Sequence, residues 1–191
     1  MNYIKDVALF NDDETVNVIV EICPGTSDKN ELVEPTFDRL SCVRKVIGEY
    51  PFYYGSFPQT YAGDRDPLDM ILFTDKDHRN LDLVRVDVIG AIKTVDAGEQ
   101  DDKLLCVESD CKLRNVRKHL KKAMKFLKSY KGKDADMKIE KKLASMAEAE
   151  EILKQANNAY TERNNTPKTG VVKNSRSNNK RTSRVRVVAR G

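Results

Sequence analysis

The sequence has little of what zinc sites and disulfide frameworks require. Its 191 residues include no tryptophan, two histidines and four cysteines. The cysteines form no CxxC pair, and neither histidine lies beside a cysteine pair, so a zinc site is not expected. Reduced thiols are the better interpretation, and they are typical of the cytoplasm. The four cysteines are Cys23, Cys42, Cys106 and Cys111.

Long apolar runs are also missing. No stretch approaches the length that spans a bilayer, so we expect no membrane segment. The N-terminal segment MNYIKDVALFNDDE has no basic start followed by a long apolar core. We therefore expect no secretory signal and predict a cytoplasmic location.

The charges are unevenly distributed, although the net charge is only +4. Residues 1–111 contain 11 basic and 23 acidic side chains, a net charge of −12. Residues 112–160 contain 14 basic and 6 acidic side chains, and residues 161–191 contain 9 and 1, so each of these parts carries +8. The acidic front half indicates bound cations, and the basic remainder indicates phosphate-bearing partners.

Short apolar segments rich in β-branched residues predict strands in the front half of the chain. Turn signals rich in Gly, Pro, Asp and Asn separate these segments. Several short strands at this spacing favour a small barrel or closed sheet over alternating β and α units. The predicted strands are 16–23, 68–74, 84–95 and 103–109.

After residue 111 the apolar pattern changes to that of helices. A stripe of apolar residues three or four apart predicts an amphipathic helix with a basic opposite face. Gly132 interrupts the pattern, and a second helix is predicted from about Met137 to Tyr160. The stripe of the first helix consists of Leu113, Val116, Leu120, Met124 and Leu127.

These patterns divide the chain into a predicted domain, residues 1–160, and a predicted tail, residues 161–191. The tail has no aromatic residue and is rich in Asn, Ser, Thr and Arg. It buries too little apolar surface to offset its ordering entropy, so we expect it to be disordered. Its net charge of +8 fits two roles, a solubilising extension and non-specific contact with nucleic acid.

Three carboxylates are crowded into the segment DRDPLD, residues 64–69. A solvated acidic turn is the usual structure of such a run. An EF-hand loop is excluded because it needs Gly and Glu where this chain has Asp69 and Asp75. A glycosidase carboxylate pair gives no role to the remaining acids. A magnesium site for phosphate chemistry is the fourth alternative, since Mg²⁺ prefers oxygen ligands.

Other acidic positions favour the magnesium site over the solvated turn. The turn DAGEQDDK, residues 96–103, follows the next long strand, and Glu21 lies near the end of the first strand. These acids converge if the strand ends gather on one side of a barrel. Within the turn, Glu99 and Asp102 are interpreted as solvated residues outside the site.

The same segments resemble the soluble family I inorganic pyrophosphatases, over roughly residues 14–132. DRDPLD matches the family's Asp-x-Asp-Pro-x-Asp core, and DAGEQDDK matches the spacing of its second acidic loop. The segment YPFYYGSFPQT resembles the family's tyrosine segment, and FPQT is similar to its eukaryotic branch. The remaining matches are EICPGTSDKNE, Arg39 and SYKG.

The resemblance implies an α+β, mainly β fold: a small OB-like closed five-stranded barrel flanked by two C-terminal helices, followed by the basic tail. It also implies Mg²⁺-dependent hydrolysis of diphosphate to two phosphates, with Asp66 as the general base. The implied metal ligands are Asp64, Asp69, Asp96, Asp101, Glu21 and Glu31. The implied substrate-binding residues are Lys29, Arg39, Tyr54, Lys103, Tyr130 and Lys131, with Tyr50 in a supporting role.

Several of these residues have ordinary structural alternatives. The alternative for Tyr50 and Tyr54 is that they are aromatic residues of the core whose hydroxyl groups reach water and do not contact the substrate. Lys131 could instead be a cation near a helix C-terminus that only interacts favourably with the helix dipole. Arg44, five residues after Arg39, is an alternative for the phosphate-binding arginine.

A nucleic-acid-binding barrel is the competing function. OB-type barrels bind oligonucleotides, and the tail of this chain is basic. However, without metal ions the net charge of −12 on residues 1–111 repels a phosphate backbone. We therefore expect the enzyme, and the resemblance adds the expectation of a homo-oligomer without locating its interface.

Overall fold

The computed structural model describes residues 1–111, 115–132 and 135–165. Leu113 of the predicted helical stripe and residues 166–191 of the predicted tail lie outside these ranges. Within them, no helix combines the length and the apolar character needed to pass through a membrane. The elements in chain order are α1 (Tyr3–Asp6), β1 (Val16–Ile22), β2 (Asp28–Leu32), β3 (Leu40–Lys45), β4 (Tyr53–Ser56), β5 (Asp69–Phe73), β6 (Leu83–Ile92), β7 (Thr94–Asp96), β8 (Glu99–Gln100), β9 (Lys103–Glu108), α2 (Val116–Leu127), β10 (Met137–Ile139) and α3 (Met146–Asn165).

Five strands close into a barrel in the order β1-β4-β5-β9-β6, which confirms the predicted fold class. Their aliphatic and β-branched residues pack well on a pleated surface. Neighbouring strands are antiparallel except β5 and β9, whose parallel register pairs Asp69 with Lys103. This pairing brings an acidic and a basic residue from distant segments side by side.

The contact between β1 and β4 depends on Gly55. A Cβ atom at this position would lie 1.9 Å from the carbonyl oxygen of Ile19 and 2.9 Å from the backbone nitrogen of Glu21. Any side chain would therefore push β4 away from β1. Because residue 55 is glycine, the strand that carries Tyr54 and Ser56 lies directly against the strand that carries Glu21.

The two larger helices cover different parts of the core. Ala149, Leu153 and Ala156 of α3 are buried in one cluster with residues of the barrel strands. Phe126 of α2 belongs to an aromatic cluster, where its ring centre lies 4.7 Å from that of Tyr50. Burying an aliphatic or aromatic side chain of this size contributes about 1.5–3 kcal/mol. The two predicted C-terminal helices therefore both stabilise the barrel.

The second of these helices begins later than predicted. Residues Met137–Ile139 form β10 because they pair with β7, and Met137 lies opposite Asp96. Helix α3 begins at Met146, and Ser145 directly before it is the N-cap residue. The Ser145 backbone N–H donates to Glu148 Oε2 at 2.8 Å, and the Glu148 N–H donates to Ser145 Oγ at 3.3 Å. This capping box is a sequence signal that the prediction of a helix from Met137 overlooked.

Helix α3 also continues beyond the predicted boundary at residue 160. It ends at Asn165, and the guanidinium of Arg163 lies 4.8 Å from the centre of the Tyr61 ring. Residues 161–165 are therefore helical. The division into a catalytic domain and a tail stays a prediction.

The sequence prediction missed five strands, namely β2, β3, β4, β8 and β10. β2 and β3 form a hairpin beside the barrel, and β4 is itself a barrel strand. The sequence of β2, DKNEL, contains no β-branched residue, so its local preference for a strand is weak. The predicted strand 84–95 is divided at Lys93 into β6 and β7.

Candidate active site

A cavity of about 570 Å³ lies where the barrel, the β2–β3 hairpin and the turn after α2 meet. It collects most of the residues that the sequence had assigned to the site, although they come from many separate segments. The predicted residues that line the cavity are Glu21, Lys29, Glu31, Tyr54, Asp64, Asp66, Asp69, Asp96, Asp101, Lys103, Tyr130 and Lys131.

Lys103 is a buried cation in the cavity wall, with 1% of its surface exposed. Its ammonium group donates to Asp69 Oδ2 and to Asp101 Oδ1, each at 2.6 Å. Burial alone would lower the pKa of Lys103, but the charges of Asp69 and Asp101 outweigh burial and raise it. Lys103 is therefore a permanent positive charge, suited to binding phosphate oxygens.

Asp69 is held in its ionised form by its neighbours. The Tyr54 hydroxyl donates to the same Oδ2 atom that accepts from Lys103. Burial would raise the pKa of Asp69, but the charges of Lys103 and Lys29 outweigh it and hold the pKa below its ordinary value. Asp69 is therefore an anionic oxygen ligand before any cation binds.

Glu21, unlike Asp69, is held mainly in its protonated form. It is 6% exposed, and the Ser56 hydroxyl donates to its Oε1 at 2.6 Å. Burial outweighs this hydrogen bond and, together with the charges of Asp69 and Glu31, raises the pKa of Glu21 to about 8. Most Glu21 side chains are therefore neutral at pH 7 without a cation, and a bound cation would favour the ionised form.

The DRDPLD loop presents Asp64 and Asp66 on the exposed side of the cavity. Arg65 between them has a φ of 74°, and the backbone N–H of Asp66 donates to Asp64 Oδ1 at 3.0 Å. Partial burial and then the charge of Asp64 raise the pKa of Asp66 to about 6, although its side chain still reaches solvent. Such a carboxylate is ionised at pH 7 and is a stronger proton acceptor than an ordinary aspartate.

Asp96 and Asp101 face the cavity from the segment around β7 and β8. The ammonium group of Lys131 contacts Asp96 Oδ2. Burial raises the pKa of Asp101 to about 6, with Lys103 opposing this shift and Asp69 reinforcing it. Carboxylate and ammonium groups therefore lie side by side in the cavity wall.

Arg39 and Tyr50 are the two predicted site residues that do not line the cavity. Arg39 is exposed, and its guanidinium lies 3.6 Å from the carboxylate of Asp38. The guanidinium of Arg44 lies 5.5 Å from the ring centre of Tyr130, so Arg44 contacts a residue of the cavity wall. The role of Arg39 stays a prediction, and Arg44 stays its alternative.

Tyr50 is a core aromatic beside the cavity. It is 2% exposed, and its ring centre lies 5.7 Å from that of Tyr54. Its hydroxyl is buried and has no hydrogen-bond partner within the described part of the chain. A supporting role through packing against Tyr54 is consistent with this position.

Sequence reasoning missed Ser56 and misjudged Asp102. Ser56 lies two residues after Tyr54 on β4, so strand alternation places both on one face, and both line the cavity. Asp102, expected to be solvated, is 3% exposed and accepts hydrogen bonds from the Thr94 N–H at 3.0 Å and from Gln100 Nε2 at 2.7 Å. Recognising β4 as a strand would have predicted Ser56.

Comparison with known proteins identifies the family. A family model described as inorganic pyrophosphatase matches residues 18–161. The chain belongs to the inorganic pyrophosphatase family. One relative is the inorganic pyrophosphatase of Picrophilus torridus, 33% identical over 131 residues that cover 63% of this chain and 73% of the relative. Another is soluble inorganic pyrophosphatase 2 of Chlamydomonas reinhardtii, 28% identical over 77% of this chain and 81% of the relative.

Solved structures of type I inorganic pyrophosphatases share the fold. The Toxoplasma gondii structure has a TM-score of 0.79 at 22% identity and covers 85% of this chain, which covers 88% of that chain. The P falciparum structure has a TM-score of 0.76 at 25% identity, and this chain covers 64% of its length. The barrel is therefore that of a type I inorganic pyrophosphatase.

Inorganic pyrophosphatases of this family are metal-dependent, and the donors in the cavity suit a hard divalent cation. The described lining residues offer carboxylate oxygens and include no cysteine or histidine. In the described ranges, no three carboxylate, histidine or cysteine groups already form a metal-ligating cluster. Two of the carboxylates, Asp69 and Asp101, are instead neutralised by Lys103. Because the described part of the lining offers carboxylate oxygens and no sulfur or imidazole ligand, its donor atoms fit the implied metal.

Proposed function

We propose that this cavity hydrolyses diphosphate to two phosphates, with Asp66 as the general base. Family membership makes the chain an inorganic pyrophosphatase, an enzyme that hydrolyses pyrophosphate. One observation supports the choice of site: a single cavity of about 570 Å³ collects the three acids of DRDPLD, Asp96 and Asp101 of DAGEQDDK, and three lysines. Phosphoryl transfer requires such positioned charge of both signs.

The proposed metal is Mg²⁺, because the ligands are hard oxygen atoms. A bound Mg²⁺ supplies charge neutralisation and lowers the pKa of a water molecule. The residues proposed to hold the metal ions are Asp64, Asp69, Asp96, Asp101, Glu21 and Glu31.

The other steps of the proposed reaction are assigned to side chains of the cavity. Asp66 accepts the proton that the attacking water loses as its oxygen bonds to phosphorus. The bond from that phosphorus to the bridging oxygen breaks, and the bridging oxygen leaves with the second phosphate. The cations proposed to bind the other phosphate oxygens are Lys29, Arg39, Lys103 and Lys131, while Tyr54 and Tyr130 donate hydroxyl hydrogen bonds.

A nucleic-acid-binding barrel is not favoured as the main function. The cavity at the barrel is lined by carboxylates, and its three lysines, Lys29, Lys103 and Lys131, are already paired with them. Such a surface repels a phosphate backbone unless metal ions are present. The basic segments lie after residue 111, away from the barrel sequence.

Phosphate release from diphosphate, with and without Mg²⁺, tests the proposal. The Asp66→Asn variant removes the proton acceptor, so we expect its rate to fall by roughly 100-fold or more, as general bases contribute about 10²–10⁴-fold. Asp12→Asn is the matched control, because Asp12 is exposed and lies outside the cavity. Full activity in Asp66→Asn would contradict the assigned base, and no release with any divalent metal would contradict the reaction.

We also propose that the chain forms a homo-oligomer, acts in the cytoplasm and contacts nucleic acid non-specifically through residues 161–191. The family resemblance supports the first, and the unpaired cysteines support the second. The net charge of +8 on the tail supports the third. Sedimentation, cell fractionation and salt-dependent retention on DNA measure these three properties.

A further inference from the structure

A line of lysines leads from α2 to the catalytic cavity. Lys121, Lys125 and Lys128 lie three or four residues apart, so they share one face of α2 and its C-terminal turn. Lys131 follows three residues later, in the cavity wall. We call these four residues the lysine track. Its first three members are exposed and have no ion-pair partner in the described part of the chain.

Two grooves make this track continuous with the cavity. The first, of about 400 Å³, is lined by Lys121, Lys125 and Lys128, with Lys141 from the loop before α3. The second, of about 280 Å³, is lined by Lys128 and Lys131. Lys128 belongs to both grooves, and Lys131 belongs to the second groove and to the catalytic cavity. An anionic chain could therefore follow the track without leaving the surface.

The charge of α2 is unfavourable for the isolated helix. The segment from Arg117 to Lys128 contains six cations and no acidic residue. Like charges four residues apart, such as Lys121 and Lys125, destabilise a helix by a few tenths of a kcal/mol per pair. Only the cations in the last turn are offset by the helix dipole. A bound polyanion would relieve this repulsion.

The lining of the grooves indicates which polyanion fits. The described residues of both grooves include no aromatic side chain on which a base could stack and no carboxylate. Their polar side chains are all lysines, which bind phosphates as point charges and read no base. Their floor is aliphatic, formed by residues such as Leu120 and Met124. The surface therefore offers contacts to phosphates alone.

We propose that the lysine track binds linear inorganic polyphosphate, a chain of phosphates joined by the same anhydride bond as diphosphate. The exposed lysines neutralise successive phosphates along α2, and Lys131 brings the chain to the edge of the cavity. The proposal rests on the proposed function only in identifying that cavity as catalytic. Binding to the track itself requires no metal and no hydrolysis.

The test measures binding of end-labelled linear polyphosphate to the full chain by fluorescence anisotropy, in EDTA and at several salt concentrations. The track variant is K121Q/K125Q/K128Q, since glutamine keeps the helix propensity of lysine. The matched control is K5Q/R79Q/K154Q, which removes three exposed cations elsewhere. We expect the track variant to bind about 10-fold or more weakly at low salt. Its salt slope should fall by about 2, because each lost phosphate contact removes roughly 0.7–0.9.

The control variant is expected to keep the affinity of the unmodified chain. Equal loss in both variants, or no loss in either, would overturn the proposal, since net charge or the basic tail would then explain the binding. A track variant that loses affinity for a DNA oligonucleotide but not for polyphosphate would also overturn it. Circular dichroism melting of both variants shows whether α2 remains folded. Phosphate release from diphosphate, measured separately, distinguishes failure of this site from failure of the catalytic assignment.

Discussion

At the scale of single residues, neighbouring cations rather than burial alone set the charge of the acids in the cavity. Asp69 and Glu21 both line the cavity, yet folding lowers the pKa of Asp69 and raises that of Glu21 to about 8. The difference arises because the ammonium group of Lys103 donates directly to Asp69, whereas the side-chain hydrogen bond to Glu21 comes from the neutral hydroxyl of Ser56. The metal-free cavity therefore contains ionised and protonated carboxyl groups together.

The unpaired hydroxyl of Tyr50 leads to a prediction at this scale. Tyr50→Phe removes a buried donor that has no partner in the described ranges, so we expect stability to stay unchanged or to rise by up to about 1 kcal/mol. Urea unfolding measures this change, and diphosphate hydrolysis should be retained. Tyr54→Phe is the comparison, because it removes a hydrogen bond to the charged Asp69 and should lower kcat/KM by about 10-fold or more. A similar loss in Tyr50→Phe would show that its hydroxyl contacts the substrate.

At the scale of elements, α3 supports the loop that carries the catalytic acids. The backbone N–H of Tyr61 donates to the carbonyl of Ala156 at 2.9 Å, and Asn157 Nδ2 donates to the carbonyl of Gln59 at 2.7 Å. Ala156 is itself buried against the barrel, and Asn157 follows it directly. The helix therefore holds the segment that leads into DRDPLD.

The capping box of α3 makes this support testable. Ser145→Ala removes the side chain that accepts from the Glu148 N–H, so we expect a loss of about 1 kcal/mol in the free energy of unfolding. Urea titration measures it. Thr161→Ala is the control within the same helix, because its exposed hydroxyl donates to the carbonyl of Asn157 and its loss should change stability by less than about 0.5 kcal/mol. Equal effects of the two substitutions would mean that Ser145 does not cap the helix.

At the scale of the whole molecule, charge is separated between an acidic barrel region and a basic C-terminal part. Residues 1–111 carry −12, and each of the two later parts carries +8. The acids converge in the cavity, where folding raises the pKa of several of them. Burial is the main cause of these raised pKa values, and repulsion between neighbouring acids adds to it. A bound cation favours the ionised carboxylates, which couples metal binding to stability.

The stability of the metal-free chain should fall as pH rises from about 4.5 to about 8. An acid with a raised pKa stabilises the fold below its unfolded pKa and loses that contribution as pH rises through its folded pKa. For buried Glu21, with a pKa raised from 4.5 to about 8, the loss is on the order of a few kcal/mol. Urea unfolding in EDTA across this range measures it.

Two comparisons check the origin of this pH dependence. Added Mg²⁺ should remove most of the loss, since the cation favours the ionised carboxylates. Glu21→Gln should flatten the profile in EDTA, because the amide does not titrate and still accepts from Ser56. A profile in EDTA that is equally steep in Glu21→Gln would rule out Glu21 as its source.

The sequence by itself determined the chemistry and the class of the fold. Acids in several turns favoured a cation site, and the family resemblance implied the metal ligands, which stay a prediction. Strand signals between turns predicted a barrel, because such patterns depend on neighbours within a few residues. The prediction failed for β4 and for the β2–β3 hairpin. Their aromatic and polar residues carry weak local signals, and these strands are stabilised by partners far along the chain.

Only the tertiary structure decided how the site is assembled and charged. The parallel register of β5 and β9 places Lys103 beside Asp69, which lowers the pKa of that aspartate. The turn after α2 brings Lys131 against Asp96, and the hairpin places Arg44, not Arg39, beside Tyr130. These contacts join residues distant in sequence, and their energies depend on burial and on distances of a few ångströms. Such quantities exist only once the barrel has closed.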